Sequence, residues 1–193
     1  MPLPKKVQKA DIIHAAIKIA ETEPLDNLTA RRIAQELNCS VQPIFYNFAT
    51  MDELKAAALD TMYQIYLDYM NEGSKAVQPY KGMGLAYIRF ARDYPGYFKN
   101  LFMSHTSYSL EAFINQDAAD GKLLQHGAQF SGLDPDAQKD FHLKVFVFTH
   151  GLATLVATGT VQITDAEVDA LLTHTVRELL NGHKQLTKGV KNA

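Results

Sequence analysis

Apolar residues recur at spacings of three and four along most of the chain, and each recurrence predicts a helix. Ile12, Ile13, Ala16, Ile17, Ile19 and Ala20 set the first, over Val7 to Glu21, which stops before Pro24. Thr29 is placed to cap a second, short helix reaching Leu37. A third follows the turn "NCS". A long fourth starts near Met51 and carries Leu54, Ala58, Met62, Ile65, Tyr66 and Tyr69 along one side. A fifth covers Met83 to Asp93, and "YPGYFKNLFM" reads as a short helix entered at Pro95. Weaker signals lie at Leu110 to Asn115 and Lys122 to Phe130. "SGLDPDAQ" opens another long helix, and Thr164 or Asp165 caps the last. The terminal "KQLTKGVKNA" reads as frayed. The one strand-like run, "VFVF", sits inside a helical frame. The expectation is an all-α fold of about nine helices. Three short helices over residues 1–50 precede longer, more apolar ones over 51–193, so a small module is mounted on a larger body.

The third helix, in "NCSVQPIFYNF", is unusually aromatic and stiff at its front end. With Ser40 as cap, Pro43 falls at the third helical position, where its missing N–H costs little. Val41, Ile44, Phe45 and Phe48 then share one side, predicted to be buried. Gln42, Pro43, Tyr46 and Asn47 share the other, where amides and a phenol can meet base edges or phosphates and the proline ring a thymine methyl. Ahead of it, small Ala34 allows close helix approach, Asn38 tolerates a left-handed turn, and Ile44 fills the contact from the far side. That is helix-turn-helix spacing, which places the later helix in a major groove. The same spacing occurs in helix pairs that bind no nucleic acid.

Charge does not help the nucleic-acid reading. The 193 residues carry a formal net charge of −2, and the first sixty hold seven basic and eight acidic side chains. Binding would have to rest on local geometry. A single cysteine, Cys39, excludes an intramolecular disulfide, and no apolar run approaches a membrane span, so a cytoplasmic protein without membrane association is expected. The seven histidines make no HExxH pair, and "GLATLVATGT" lacks the lysine of a phosphate loop. No metal site, no cofactor and no enzymatic activity are expected.

"LTARRIAQELNCSVQPIFYNFATMDEL" resembles the N-terminal module of the TetR family of one-component transcriptional regulators, in Thr29, Ile33–Ala34, Ser40, Ile44–Phe45, Tyr46, Asn47, Phe48 and Met51 to Leu54. Three positions depart from the family pattern: Phe45 for a tyrosine, Asn47 for a histidine and Met51 for a lysine. The resemblance implies double-stranded DNA as partner, through a palindromic operator. It implies a contact set of Thr29, Gln42, Pro43, Tyr46 and Asn47, with Ser40 as cap and Lys5, Lys6 and Lys9 reaching phosphate or minor groove from the N-terminal arm.

"AYIRFARDYPGYFKNLFMS" and "FVFTHGLATLVATG" resemble a C-terminal subgroup of the same family. That likeness implies a homodimer through the last two long helices, and a pocket for a small apolar or amphipathic effector among the middle ones. The near-continuous apolar surface of "VFVFTHGLATLVATG" and the small Gly151, Ala153, Ala157 and Gly159 are compatible with such close pairing. Met62, Tyr66, Tyr87, Phe98, Phe102, Phe146, Thr149 and His150 are the candidate pocket residues, each with an alternative role as core. The function so implied is that of a DNA-binding regulator, a repressor released by its effector. The alternative is a helical adaptor that uses the same helix pair to hold protein.

Overall fold

The computed structural model describes residues 7–103 and 133–190, with the backbone alone at 135 and 183–190. Among the described residues all regular structure is helical. The helices are α1 (Lys9–Ala20), a 3-10 turn (Leu25–Asn27), α2 (Ala30–Glu36), α3 (Gln42–Asn47), α4 (Met51–Ser74), α5 (Pro79–Asp93), α6 (Pro95–Phe102), α7 (Pro135–Ala157) and α8 (Asp165–Val190). The weak signals at 110–115 and 122–130 lie outside the described residues. The chain divides into two compact units, 1–68 with 93–104 and 69–92 with 105–193.

In the first unit α1 packs on α2, α3 and α6. Its interior holds Ile12, Ala16, Ile33, Ile44, Phe48, Leu54, Ala58, Met62 and Phe98. The i, i+4 series Leu54, Ala58, Met62, Tyr66 is the buried stripe of α4 that the sequence period predicts. Asn100 of α6 fastens the end of α1 and the next turn together. Its amide donates to the Ala20 carbonyl at 3.1 Å, and its oxygen accepts from the Leu25 N–H at 2.8 Å. The Tyr97 hydroxyl donates to Glu21 at 3.2 Å. Burial, and then the Glu21 carboxylate, push the Tyr97 phenol up to about 12.

In the second unit α5 and α7 lie side by side. The Tyr80 hydroxyl meets His142 Nδ1 at 3.2 Å and the Tyr87 hydroxyl meets His150 Nδ1 at 2.9 Å. Both partners advance together along the chain, so the two helices run parallel where they touch. Tyr80, Phe141 and Val145 form a small core with Val176, Leu179 and Leu180 of α8 against it. α5 starts at Pro79, four residues earlier than the period suggests, because Pro79 fits a first turn and the glycines within it serve contact. A Cβ at Gly82 would stand 2.2 Å from the Gly73 carbonyl oxygen. α7 begins at Asp134, whose carboxylate accepts from the Ala137 N–H at 2.9 Å. It ends in a left-handed Gly159 (φ 72°), which terminates the helix. Thr164 caps α8, accepting from the Glu167 N–H at 3.3 Å. Asp165 sits one residue inside and holds Arg89 and Arg92 at 2.9 and 2.8 Å; those hydrogen bonds, Arg89's first, keep its carboxyl below the usual range. The expected fraying is corrected: α8 continues to Val190, since Lys, Gln and Leu are good helix formers.

Two outcomes test this packing. A Cβ at Gly96 would lie 2.3 Å from the Glu21 carbonyl oxygen, so Gly96→Ala is expected to lose about 1–3 kcal/mol in urea denaturation. His150 has its pKa lowered by burial, so the folded state resists a proton that the unfolded chain accepts. Its contribution is present above the unfolded histidine value and is lost as pH falls through the folded one. The denaturation midpoint is therefore expected to drop on acidification below about pH 6.5, and His150→Gln to flatten that part of the profile.

Candidate nucleic-acid interface

The interface is built outward from a turn. Leu37 closes α2, and Asn38 follows with φ 49°, the left-handed conformation its short amide tolerates. The Cys39 N–H donates to the Ala34 carbonyl at 2.9 Å and the Asn38 N–H to that of Gln35 at 3.2 Å. These two bonds satisfy the orphan carbonyls of α2 and reverse the chain. Thr29 caps the other end of α2, its hydroxyl accepting from the Arg32 N–H at 3.2 Å. Ala34, at 5 % exposure, and Ile44, at 1 %, occupy the buried positions expected of them.

The start of α3 differs from expectation. Ser40 is not its cap. Val41 occupies that position with helical φ −71° and ψ −17°, and no side chain caps the helix. A hydroxyl at Ser40 would have used the N–H of the second or third helical residue, and the third would be Pro43, which has none. The Val41 carbonyl accepts from the Ile44 N–H at 3.1 Å instead.

The faces of α3 need correction too. Ile44 and Phe48 are buried at 1 % exposure each, but Phe45 is 52 % exposed and Val41 41 %. Residues four apart fix the inward direction, and Phe45 lies about 100° further round than Ile44. The outward face therefore joins Val41 and Phe45 to Gln42 and Tyr46, the last 79 % exposed. Gln42 Nε2 donates to the Tyr46 hydroxyl at 3.1 Å, so this amide and phenol act as one unit. Pro43 and Asn47 are half-buried. The Asn47 amide donates to the Pro43 carbonyl at 2.8 Å and so turns onto its own helix.

Most cations of this module are engaged. Lys18 and Arg32 converge on Glu36 at 2.6 and 3.3 Å, and Arg32 also reaches Glu23 at 3.1 Å. Lys18, then Arg32, hold the Glu36 carboxyl below its usual range. Lys9 stands 3.6 Å from Glu53 and 4.7 Å above the Phe48 ring, so it clasps α1 to α3 and α4 as well as offering charge. Lys5 and Lys6 lie outside the described residues. Arg31 is exposed and takes part in no ion pair among the described residues. Arg31, Phe45 and Val41 are exposed residues of the candidate interface that the sequence reading did not assign to it. An arginine two residues past the Thr29 cap was the available signal.

The expected effector residues fall into two groups. In the first unit Met62 and Phe98 are fully buried, and Phe102 lies 5.1 Å from the Tyr66 ring and 5.3 Å from that of Phe98. In the second, Phe146 stacks on His150 at 5.5 Å, Tyr87 lies 6.1 Å from Phe146, and Thr149 donates to the Val145 carbonyl at 2.8 Å. Among the described residues no His, Cys, Asp and Glu side chains cluster as metal ligands would, and no helix is long and apolar enough to cross a membrane.

The corrected faces give a direct test. Ile44→Ala is expected to cost about 2–5 kcal/mol of stability. Phe45→Ala, one residue on, is expected to stay within about 0.5 kcal/mol. Urea titrations of both variants make the comparison, and equal losses would restore the buried position for Phe45.

Residues 80–179 match the tetracyclin repressor-like C-terminal domain family. No curated protein matches the chain. Its fold is similar to that of a TetR-like transcriptional regulator from Rhodococcus sp. RHA1, with TM-score 0.68 and 16% identity over 93% of this chain and 99% of that one. It is equally similar to a putative transcriptional regulator from Pseudomonas aeruginosa PAO1, with TM-score 0.68 and 16% identity over 95% and 96% of the two chains. A TetR variant from Acinetobacter baumannii AYE in complex with minocycline aligns at TM-score 0.51 and 18% identity over 94% and 98%. With more than half of its length inside the family domain and an all-helical fold shared with these regulators, the chain belongs to the TetR family of transcriptional regulators, which are not enzymes.

Proposed function

We propose that this regulator binds double-stranded DNA through α3 and is released from it by a small molecule, as a repressor. The observation that carries the reading is the outward Gln42–Tyr46 pair on a short helix whose direction Ile44 and Phe48 fix. Such a pair offers hydrogen bonds to base edges, while the apolar Val41 and Phe45 beside it suit thymine methyl groups. Thr29 and Arg31, exposed at the start of α2, would meet phosphate in this reading.

One such module reads few base pairs, so the reading includes a homodimer on a palindromic operator. Val147, Gly151 and Leu155 support α7 as part of the dimer surface. They recur every four residues, they are exposed, and Val147 is 59 % so. Leu171 adds an exposed apolar side chain on α8. The effector would occupy the second unit, beside the Tyr87, Phe146 and His150 cluster. α4 passes from the first unit into the second, so it is the element through which the two events oppose each other. A coupling of about 3 kcal/mol would change operator affinity roughly 150-fold, and effector affinity by the same factor.

The adaptor reading keeps one observation in its favour. Val41 and Phe45 are apolar and exposed, and the neighbouring cations are tied up in ion pairs. Salt dependence separates the two, because DNA affinity falls steeply as counterions compete.

Selection of bound duplexes from a random pool is expected to return a palindrome. Tyr46→Ala is expected to weaken that complex with helical content unchanged, and Arg31→Ala to reduce the slope of log affinity against log salt by about one. Recovery of no duplex, or unchanged affinity in Tyr46→Ala, would remove α3 as the reading element.

A further inference from the structure

A cleft of about 290 Å³ lies between the start of α5 and the middle of α8 in the second unit. None of the side chains assigned above to an effector pocket lines it. One wall is apolar, from Leu172, Val176 and Leu180. The rim carries two cations, Lys81 and Arg177. They are not equivalent. Lys81 is bound to Asp169 at 2.7 Å, while Arg177 is exposed and makes no ion pair among the described residues. Among the described residues no carboxylate lines the cleft, and with Lys81 paired to Asp169 their side chains give it one net positive charge.

Thr173, between the wall and the rim, supplies the second observation. Its hydroxyl is buried and has no hydrogen-bond partner, the one such side-chain atom among the described residues. A helical threonine ordinarily bonds the carbonyl four residues back, as Thr61, Thr149 and Thr158 all do here. Threonine has two accessible χ1 wells in a helix, so this hydroxyl can turn into the cleft and donate there. Thr173 and Leu171 differ by two residues, about 160° around α8. The cleft and the exposed Leu171 therefore lie on opposite sides of the helix, and pairing through Leu171 leaves the cleft open.

We infer that this cleft is a binding site for a small monocarboxylic acid. Its carboxylate is held by the Arg177 guanidinium and the Thr173 hydroxyl, and its short apolar tail lies along Leu172 and Val176. A guanidinium takes a carboxylate through two parallel N–H donors, which suits a singly charged planar group. The volume equals about ten waters of liquid, enough for a chain of roughly six carbons and too small for a large amphiphile. The site stands independently of DNA recognition.

Calorimetric titration of the full chain with hexanoate tests the assignment, with 1-hexanol and inorganic phosphate as probes lacking the charge and the tail. Hexanoate is expected to bind saturably and at least about tenfold more tightly than either. Arg177→Gln is expected to remove that preference for hexanoate over hexanol. Thr173→Val, which keeps shape and deletes the hydroxyl, is expected to weaken hexanoate about fivefold and leave hexanol unchanged. Absence of saturable heat at millimolar hexanoate would overturn the site. So would hexanoate binding that both α8 variants leave intact, or phosphate binding as tightly as hexanoate.

Discussion

A helix of six residues cannot hold itself in water, and the candidate DNA-facing end of this protein depends on how that deficit is met. Nucleation of one turn fixes several dihedrals for a single hydrogen bond, so α3 exists only because it is packed. Ile44 and Phe48 do the packing, four residues apart and both at 1 % exposure. Pro43 lowers the entropy of the first turn, and the left-handed Asn38 fixes where the chain enters. The two anchors set the rotation of α3 about its own axis. Everything that the outward face presents follows from that rotation, including Phe45 and Val41, which hydrophobicity alone would have buried.

The same economy governs charge. A module with nearly balanced charge has few cations to offer a phosphate backbone, and most of those are already committed. Lys18, Arg32, Glu36 and Glu23 form a surface network that joins α1, α2 and the intervening turn. Such pairs contribute little to stability individually and weaken in salt, but they occupy the charges of Lys18 and Arg32. Lys9 is held between Glu53 and the face of Phe48. A duplex bound as proposed would meet Arg31 and the hydrogen-bonding, apolar face of α3, with few uncommitted cations of the described residues beside them.

Much of the fold was legible from period and punctuation. The stripe Leu54, Ala58, Met62, Tyr66, the caps at Thr29 and Thr164 and the proline starts at 95 and 135 all follow from local rules that the packing does not oppose. The errors fell where tertiary contact outweighed them. α5 begins early because Gly82 and Gly73 bring two helix backbones together, a reason for glycine that reads in sequence as a stop. Ser40 looked like a cap until Pro43 removed its partner. Phe45 looked like core because a helical wheel gives angles and not the width of the groove that receives it. At the interface, residue types were readable and their orientation was not. Asn47 is where an amide was expected, yet its N–H group is turned back onto the Pro43 carbonyl.

The second unit shows what its interior does with polar groups. Two tyrosine hydroxyls from α5 meet two histidine rings on α7, and Thr149 bonds within its own helix. Those pairings let Tyr80, Tyr87 and His142 be buried without leaving donors or acceptors empty. They also fix the parallel register of the two helices, since each phenol has its own imidazole at nearly the same spacing. Against that packing, the Thr173 hydroxyl, the one buried side-chain polar atom without a partner among the described residues, is informative. An apolar side chain of the same shape would have served the α8 wall at no polar cost. A hydroxyl there, beside the cleft and a guanidinium that makes no ion pair among the described residues, is a donor available for something other than the fold.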